Sequence, residues 1–315
     1  MPTPLCVYIG DDLARYGFGA GHPFGPDRLG AFWLHACAAG LDQRVRQCTP
    51  VSAGRAEIER FHTTAYVERV IRQSSTGEGY LDGGDTPAVQ GIYKSACYVV
   101  GSVLDAIERI LEGHCQQAFV PIAGLHHARR DSAAGFCVFN DCGIAIETLR
   151  SRHGLQRIAY VDIDAHHGDG VFYSFEEDPD LIFADLHEDG RFLYPGTGGE
   201  TETGLGAATG TKLNIPMPPK AGDEAFFAAW GRVEVFIDEQ QPEFILFQCG
   251  ADSIAGDPIT HLRYSPAAHR HAAQRLLHLA EKHCQGRLLA MGGGGYNRSN
   301  LALAWTAVVQ ALLAG

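Results

Sequence analysis

The sequence has no excess of positive charge, no CxxC pair, no Ser/Pro-rich linker and no apolar run long enough to span a bilayer. Each absence removes a class of protein. Twenty-five Lys and Arg against 37 Asp and Glu give a net charge of −12. The basic footprint that phosphate binding leaves is therefore missing, and no nucleic-acid partner is expected. An acidic surface instead tolerates cationic substrates such as lysine side chains or polyamines. The nine cysteines are an odd number and scattered, and Cys6, Cys97 and Cys249 lie in apolar stretches. That pattern reads as reduced, buried thiols rather than a disulfide framework. The N-terminus has no basic stretch followed by an apolar one, so no signal peptide is expected. The most apolar stretch, residues 301–315, is too short for a membrane and reads as a buried terminal helix. A cytoplasmic protein that avoids membranes is the expectation.

With no internal repeat or charge block, residues 1–315 read as one domain. Short apolar runs at 6–9, 118–122, 158–163, 181–186, 212–215, 244–248 and 288–291 alternate with helical patterns. The helices are expected over 87–112 (Thr86 capping, Pro87 in the first turn), 142–152, 223–239, 266–283 and 300–313. Such alternation predicts an α/β fold: a mostly parallel central sheet of about eight strands with helices on both faces. Three long glycine-rich stretches, 123–140, 188–211 and 253–264, follow predicted strands. They should gather at the carboxyl edge of the sheet, where open α/β folds bind ligands. The segment 204–212, ending on Lys212, superficially suggests a phosphate loop, but its spacing fails; the glycines at 292–295 lack the dinucleotide fingerprint.

Four apolar runs end in chemically loaded residues. One leads to His126-His127, one to the string D-I-D-A-H-H-G-D (162–169), one to Asp252, and one to four glycines and Tyr296. Parallel strands bring all four ends to one rim. At a strand end, residues i and i+2 point the same way, so Asp164 and His166 can share a metal. Asp252 supplies a third ligand, leaving positions open for water and substrate as a catalytic zinc requires. Taken singly, these aspartates could be turn residues; as one string, adjacent buried carboxylates are too costly without a cation. His126 and His127 could then handle protons beside the metal, with Asp162 and Asp169 available to set their tautomers. The glycines before Tyr296 let backbone approach a ligand, and a phenol there can donate to a developing oxyanion.

These strings together resemble the histone deacetylase family of the arginase/deacetylase superfamily. The matching segments are HPFGPDRL (22–29), GLHHA (124–128), GFCVFND (135–141), DIDAHHGDGV (162–171), LYPGTGG (193–199), GADSIAGDP (250–258) and GGGGY (292–296). They occur in family order across nearly the whole chain. The resemblance implies a zinc-dependent lysine deacylase with one zinc on Asp164, His166 and Asp252. It makes His127 the general base, His126 an electrostatic partner backed by Asp162, and Asp169 the support of His127. Tyr296 would hydrogen-bond the scissile carbonyl. Gly135, Phe136, Tyr194 and Gly294 would line the substrate path, with Asp85 at its rim. The family also implies a structural potassium ion near the backbone of 162–166.

Departures are Tyr194 where many relatives have Phe, Asp185 where many have Ser, and Ile259 at a position linked to selectivity. Polyamine-selective relatives carry a gatekeeping glutamate there. An acylated lysine of a protein or peptide is thus the expected partner, with an acetylated polyamine as the alternative. A two-manganese ureohydrolase or a non-catalytic binding module is further from the pattern: the second-metal carboxylates are missing, and no ligand or tyrosine is lost.

Overall fold

The computed structural model describes residues 5–19 and 21–314, so the ends of the expected 1–315 domain lie outside the described residues. The strands are β1 (Cys6–Tyr8), β2 (Arg46–Cys48), β3 (Gln117–Val120), β4 (Ile158–Asp162), β5 (Leu181–Glu188), β6 (Lys212–Met217), β7 (Phe244–Gln248) and β8 (Leu288–Met291). They form one sheet in the order β2-β1-β3-β8-β7-β4-β5-β6, with every pair parallel. In β3, β4, β7 and β8 every residue is buried. Their continuous apolar runs are the signature of strands covered on both faces.

Ten helices cover the sheet among the described residues. In chain order they are α1 (Asp11–Ala14), α2 (Arg28–Ala38), α3 (Arg55–Ile58), α4 (Thr64–Thr76) and α5 (Ile92–Leu111). Then follow α6 (Asp141–His153), α7 (Asp169–Ser174), α8 (Asp223–Gln240), α9 (Pro266–Cys284) and α10 (Arg298–Leu312). Helices α2, α8, α9 and α10 pack side by side as one layer, and α3 to α7 pack as the other. The result is the single α/β domain with helices on both faces that the alternation predicts. All nine cysteines are free, eight of them buried. No helix among the described residues is long and apolar enough to cross a membrane.

Helices α1 to α4 and α7 were not among those expected from sequence, and two further elements differ from the sequence reading. Strand β2 was not anticipated: two of its three residues are exposed, as befits an edge strand, so it has no apolar run to reveal it. Helix α5 starts at Ile92 after Gly91, which sits in the left-handed region (φ 85°), rather than at Pro87. The expected cap is otherwise engaged: Thr86 Oγ1 donates to Asp82 Oδ2 and accepts from the Phe136 amide. Residues 79–91 therefore form turns and bends instead of a helical first turn.

The four strands that end in chemically loaded residues, β3, β8, β7 and β4, are consecutive in the sheet. Backbone bonds continue the ladder past their ends: Gly292 to Val120 O, Cys249 to Met291 O and Ile163 to Gln248 O, at 2.9–3.1 Å. The rim is thus a rigid extension of the core.

Candidate active site

Asp164, His166 and Asp252 are brought together with one ligand atom each, all within 4.8 Å of one another and all buried. His166 Nδ1 lies 3.0 Å from Asp164 Oδ1 and 3.2 Å from Asp252 Oδ2. Asp164 Oδ2 accepts from Gln248 Nε2 (2.9 Å) and the Gly294 amide (2.8 Å); Asp252 Oδ1 accepts from the Ala165 amide (2.8 Å). Asp252 Oδ2 is buried and has no hydrogen bond. Two carboxylates and an imidazole converging on an orphaned oxygen form a donor set suited to a divalent cation. The electrostatics agree. Burial and the neighbouring Asp164 push Asp252 up to about 7. Burial opposes the charge on Asp164 too, but His126 and His166 hold it well below the usual carboxylate range. Against burial, Asp164 and Asp252 raise His166 to about 10.

Glycine makes this convergence possible. A Cβ on Gly294 would lie 2.1 Å from Asp252 Oδ2, and one on Gly250 would lie 2.1 Å from Asp164 Oδ2. Gly294 therefore sits behind the acids, its amide committed to Asp164, as well as lining the small space beside them.

The two histidines stand beside this centre. His126 Nδ1 faces Asp162 Oδ2 at 2.8 Å, and His127 Nδ1 faces Asp169 Oδ1 at 2.7 Å. The two Nε2 atoms are 3.1 Å apart. With each Nδ1–H donating to a carboxylate, the neutral pair presents two lone pairs to one spot, an arrangement suited to taking up one proton. Burial and the adjacent His126 push His127 down to about 4, with Asp169 opposing. Asp162 also accepts from Tyr160 OH (2.5 Å), and burial with Asp185 and Asp164 raises it well above the usual range.

Tyr296 closes the opposite side. Its amide donates to Asp257 Oδ2 (2.8 Å), and its ring packs 5.8 Å from Phe136. Its hydroxyl has no hydrogen-bond partner among the described residues. Burial, with Asp252 and Asp164, keeps it protonated.

A cavity of about 230 Å³ runs from Asp85, Tyr194 and Ile259 at its mouth, past Gly135 and Phe136, to His127, His166 and Tyr296. A second, inner space of about 10 Å³ lies beyond, between Phe24, Leu125, His126 and Gly294. Tyr194 stacks edge-on 5.1 Å from His127. Gly135 and Phe136 both adopt positive φ (51° and 68°), and a Cβ on Gly135 would strike His127 at 2.5 Å. Asp85 is exposed, with its carboxyl raised by partial burial and by Asp82.

Several residues here were not singled out from sequence. Gln248 orients Asp164 and also accepts from the Gly250 amide (2.7 Å). Asp141 accepts from the amides of Gly124 and Leu125, bracing the histidine segment. Asn140 Nδ2 donates to the carbonyls of His126 and Ala128. Arg28, fully buried, donates to Gly293 O (2.6 Å) and Gly295 O (2.9 Å) with its guanidinium 4.0 Å over Phe24. Arg28, Asn140, Asp141 and Asp257 all lie within the quoted motifs, which was the available signal; Gln248 ends an apolar run and carried none.

A family model for the histone deacetylase domain matches residues 22–312. The chain belongs to the histone deacetylase family. It is 34% identical to the acetoin utilization protein AcuC of Bacillus subtilis (strain 168), over 90% of this chain and 75% of that one. It is 35% identical to a probable deacetylase of Archaeoglobus fulgidus, over 81% and 70% of the two chains. Histone deacetylase 8 of Xenopus tropicalis is 34% identical over 88% and 75%. The crystal structure of the HDA15 HD domain superposes with a TM-score of 0.90 at 28% identity, covering 99% of this chain and 90% of that one. Histone deacetylase family membership makes the chain a hydrolase of the deacetylase class.

Proposed function

We propose that residues 1–315 form one catalytic domain that hydrolyses the acyl-amide of an N-ε-acyl-lysine in a protein or peptide. The observation that carries this reading is the three-ligand cluster at the floor of a narrow cavity, flanked by the paired histidines and a free phenol. Asp164, His166 and Asp252 would hold one zinc ion, which supplies Lewis acidity toward a carbonyl and lowers the pKa of water.

The substrate's methylene chain would lie between Phe136 and Tyr194, with its backbone near Asp85 at the mouth. Tyr296 donates to the scissile carbonyl oxygen and continues to donate as negative charge builds there. His127 faces the cavity, so it accepts the proton of the attacking water and passes it to the leaving amine. His126, held by Asp162, balances charge beside it. Overall, water and amide give a carboxylate and a protonated amine. Gly135 and Gly294 let the path approach His127 and the two carboxylates. A structural potassium ion belongs near the backbone of 162–166; Asp185 there accepts from the Gly168 amide and faces His187 Nδ1, each at 2.8 Å.

The apolar Ile259 at the mouth favours acyl-lysine over acetylated polyamines. The test is kcat/KM of the zinc-loaded protein on acetyl-lysine peptides and on acetylated polyamines, with acyl chains of increasing length. Higher values for the polyamines would transfer the assignment to an acetylpolyamine amidohydrolase. Turnover of neither would remove both.

A further inference from the structure

Glu188 ends β5 with its side chain buried. Both carboxylate oxygens go to one residue: Oε2 accepts from the His261 amide at 2.8 Å, and Oε1 faces His261 Nδ1 at 2.7 Å. A buried carboxylate is costly unless its oxygens are engaged, so Glu188 commits His261 to one place. The His261 side chain is itself 57% exposed, so the acid rather than packing around the ring fixes it. Neither residue falls within the motifs that carry the family resemblance.

The pair joins the two ends of the cavity. At the floor, the Glu188 amide donates to Ala165 O at 2.8 Å, and the Ala165 amide donates to Asp252 Oδ1 at 2.8 Å. Ala165 lies between Asp164 and His166 in the chain. At the mouth, His261 follows Ile259 by two residues, in a segment, 257–262, that has no helix or strand of its own. Thr260 Oγ1 donates to Asp252 O, Asp257 Oδ1 accepts from the Ile259 amide at 3.1 Å, and His261 O accepts from the Lys220 amide at 3.0 Å. Glu188 adds the anchor that comes from the sheet.

We propose that Glu188 and His261 are positioning residues for substrate binding: the buried acid holds the 257–262 segment down so that Ile259 keeps its place in the mouth wall. This deepens the proposed function and rests on it. Neither residue lines the cavity, so their effect reaches the substrate through Ile259 and not through the reacting atoms. Loss of the tie should therefore weaken binding and spare the chemical step.

The test compares the zinc-loaded parent, His261→Leu and His261→Asn by kinetics on an acetyl-lysine peptide and by amide hydrogen exchange. His261→Leu leaves Glu188 Oε1 without a donor. It should raise KM about tenfold, with kcat and bound zinc within about twofold of the parent. Exchange of the amides of residues 259–262 should speed up by about tenfold or more. His261→Asn, whose Nδ2 stands where the imidazole Nδ1 stood, should return both readouts to within about threefold of the parent. Unchanged KM or unchanged exchange in His261→Leu would overturn the proposal. So would a matching loss of kcat or zinc, failure of that variant to fold, or an Asn variant as impaired as the Leu variant. If the parent itself turns over no acyl-amide, the functional reading fails instead, and exchange in the same three proteins still decides whether the pair holds the segment.

Discussion

The floor and the mouth of the cavity are built in opposite ways. At the floor, Asp164, His166 and Asp252 are buried at the ends of two adjacent strands, β4 and β7, and most of their remaining polar atoms are held by backbone amides or Gln248. At the mouth, Asp85 and Tyr194 are exposed on long segments between elements. Chemistry that depends on sub-ångström placement rests on the sheet, and selection among substrates rests on loops that can vary without disturbing it. Substitutions at the floor should therefore be all-or-none, and those at the mouth graded.

Asp252→Ala is the harshest test of that contrast. It should remove bound zinc and turnover together, by elemental analysis and peptide assay; a variant that turns over without metal breaks the proposed mechanism. Tyr296→Phe should retain the metal but lose about 10²–10³-fold in kcat, the usual cost of one oxyanion donor. Normal kcat would exclude the phenol from the reaction.

Asp169→Asn sharpens the roles of the two histidines. Asp169 raises His127 against the burial that lowers it, so its loss should lower kcat by about tenfold or more. It should also move the acidic limb of the pH–rate profile further down, because His127 then binds its proton less readily. An unmoved or rising limb would assign that limb to another group.

At the mouth, Ile259→Glu should shift the kcat/KM ratio toward acetylated polyamines by about tenfold, at the scale of one partly screened charge pair. Tyr194→Phe should change kcat less than about threefold, since no hydrogen bond to its hydroxyl is present among the described residues. A large effect there would make the mouth part of the machinery and erase the distinction between the two regions.

Much of the floor was legible in the sequence because its residues come as dense strings after apolar runs, at 126–127, 162–169 and 292–296. The parallel alternation told where those strings would meet. The supports were harder to read. Gln248 and Asp141 look like any polar residue until the fold brings each to an amide or carboxylate far along the chain. Edge strand β2 and the helices before residue 80 were also missed. Strand β2 and helices α1 and α3 have three or four residues each and depend on tertiary packing for their stability. Helices α2 and α4, with 11 and 13 residues, are long enough to be legible and were overlooked. The cap expected from Thr86 failed because Asp82 and the amide of Phe136, in the cavity wall, use that hydroxyl.

The place of β8 between β3 and β7 has a consequence for biosynthesis. Until the ribosome has added residue 291, the middle of the sheet lacks the strand that joins its two halves, and Tyr296 has yet to emerge. A nascent chain thus cannot complete its sheet until almost all of its described residues have been made.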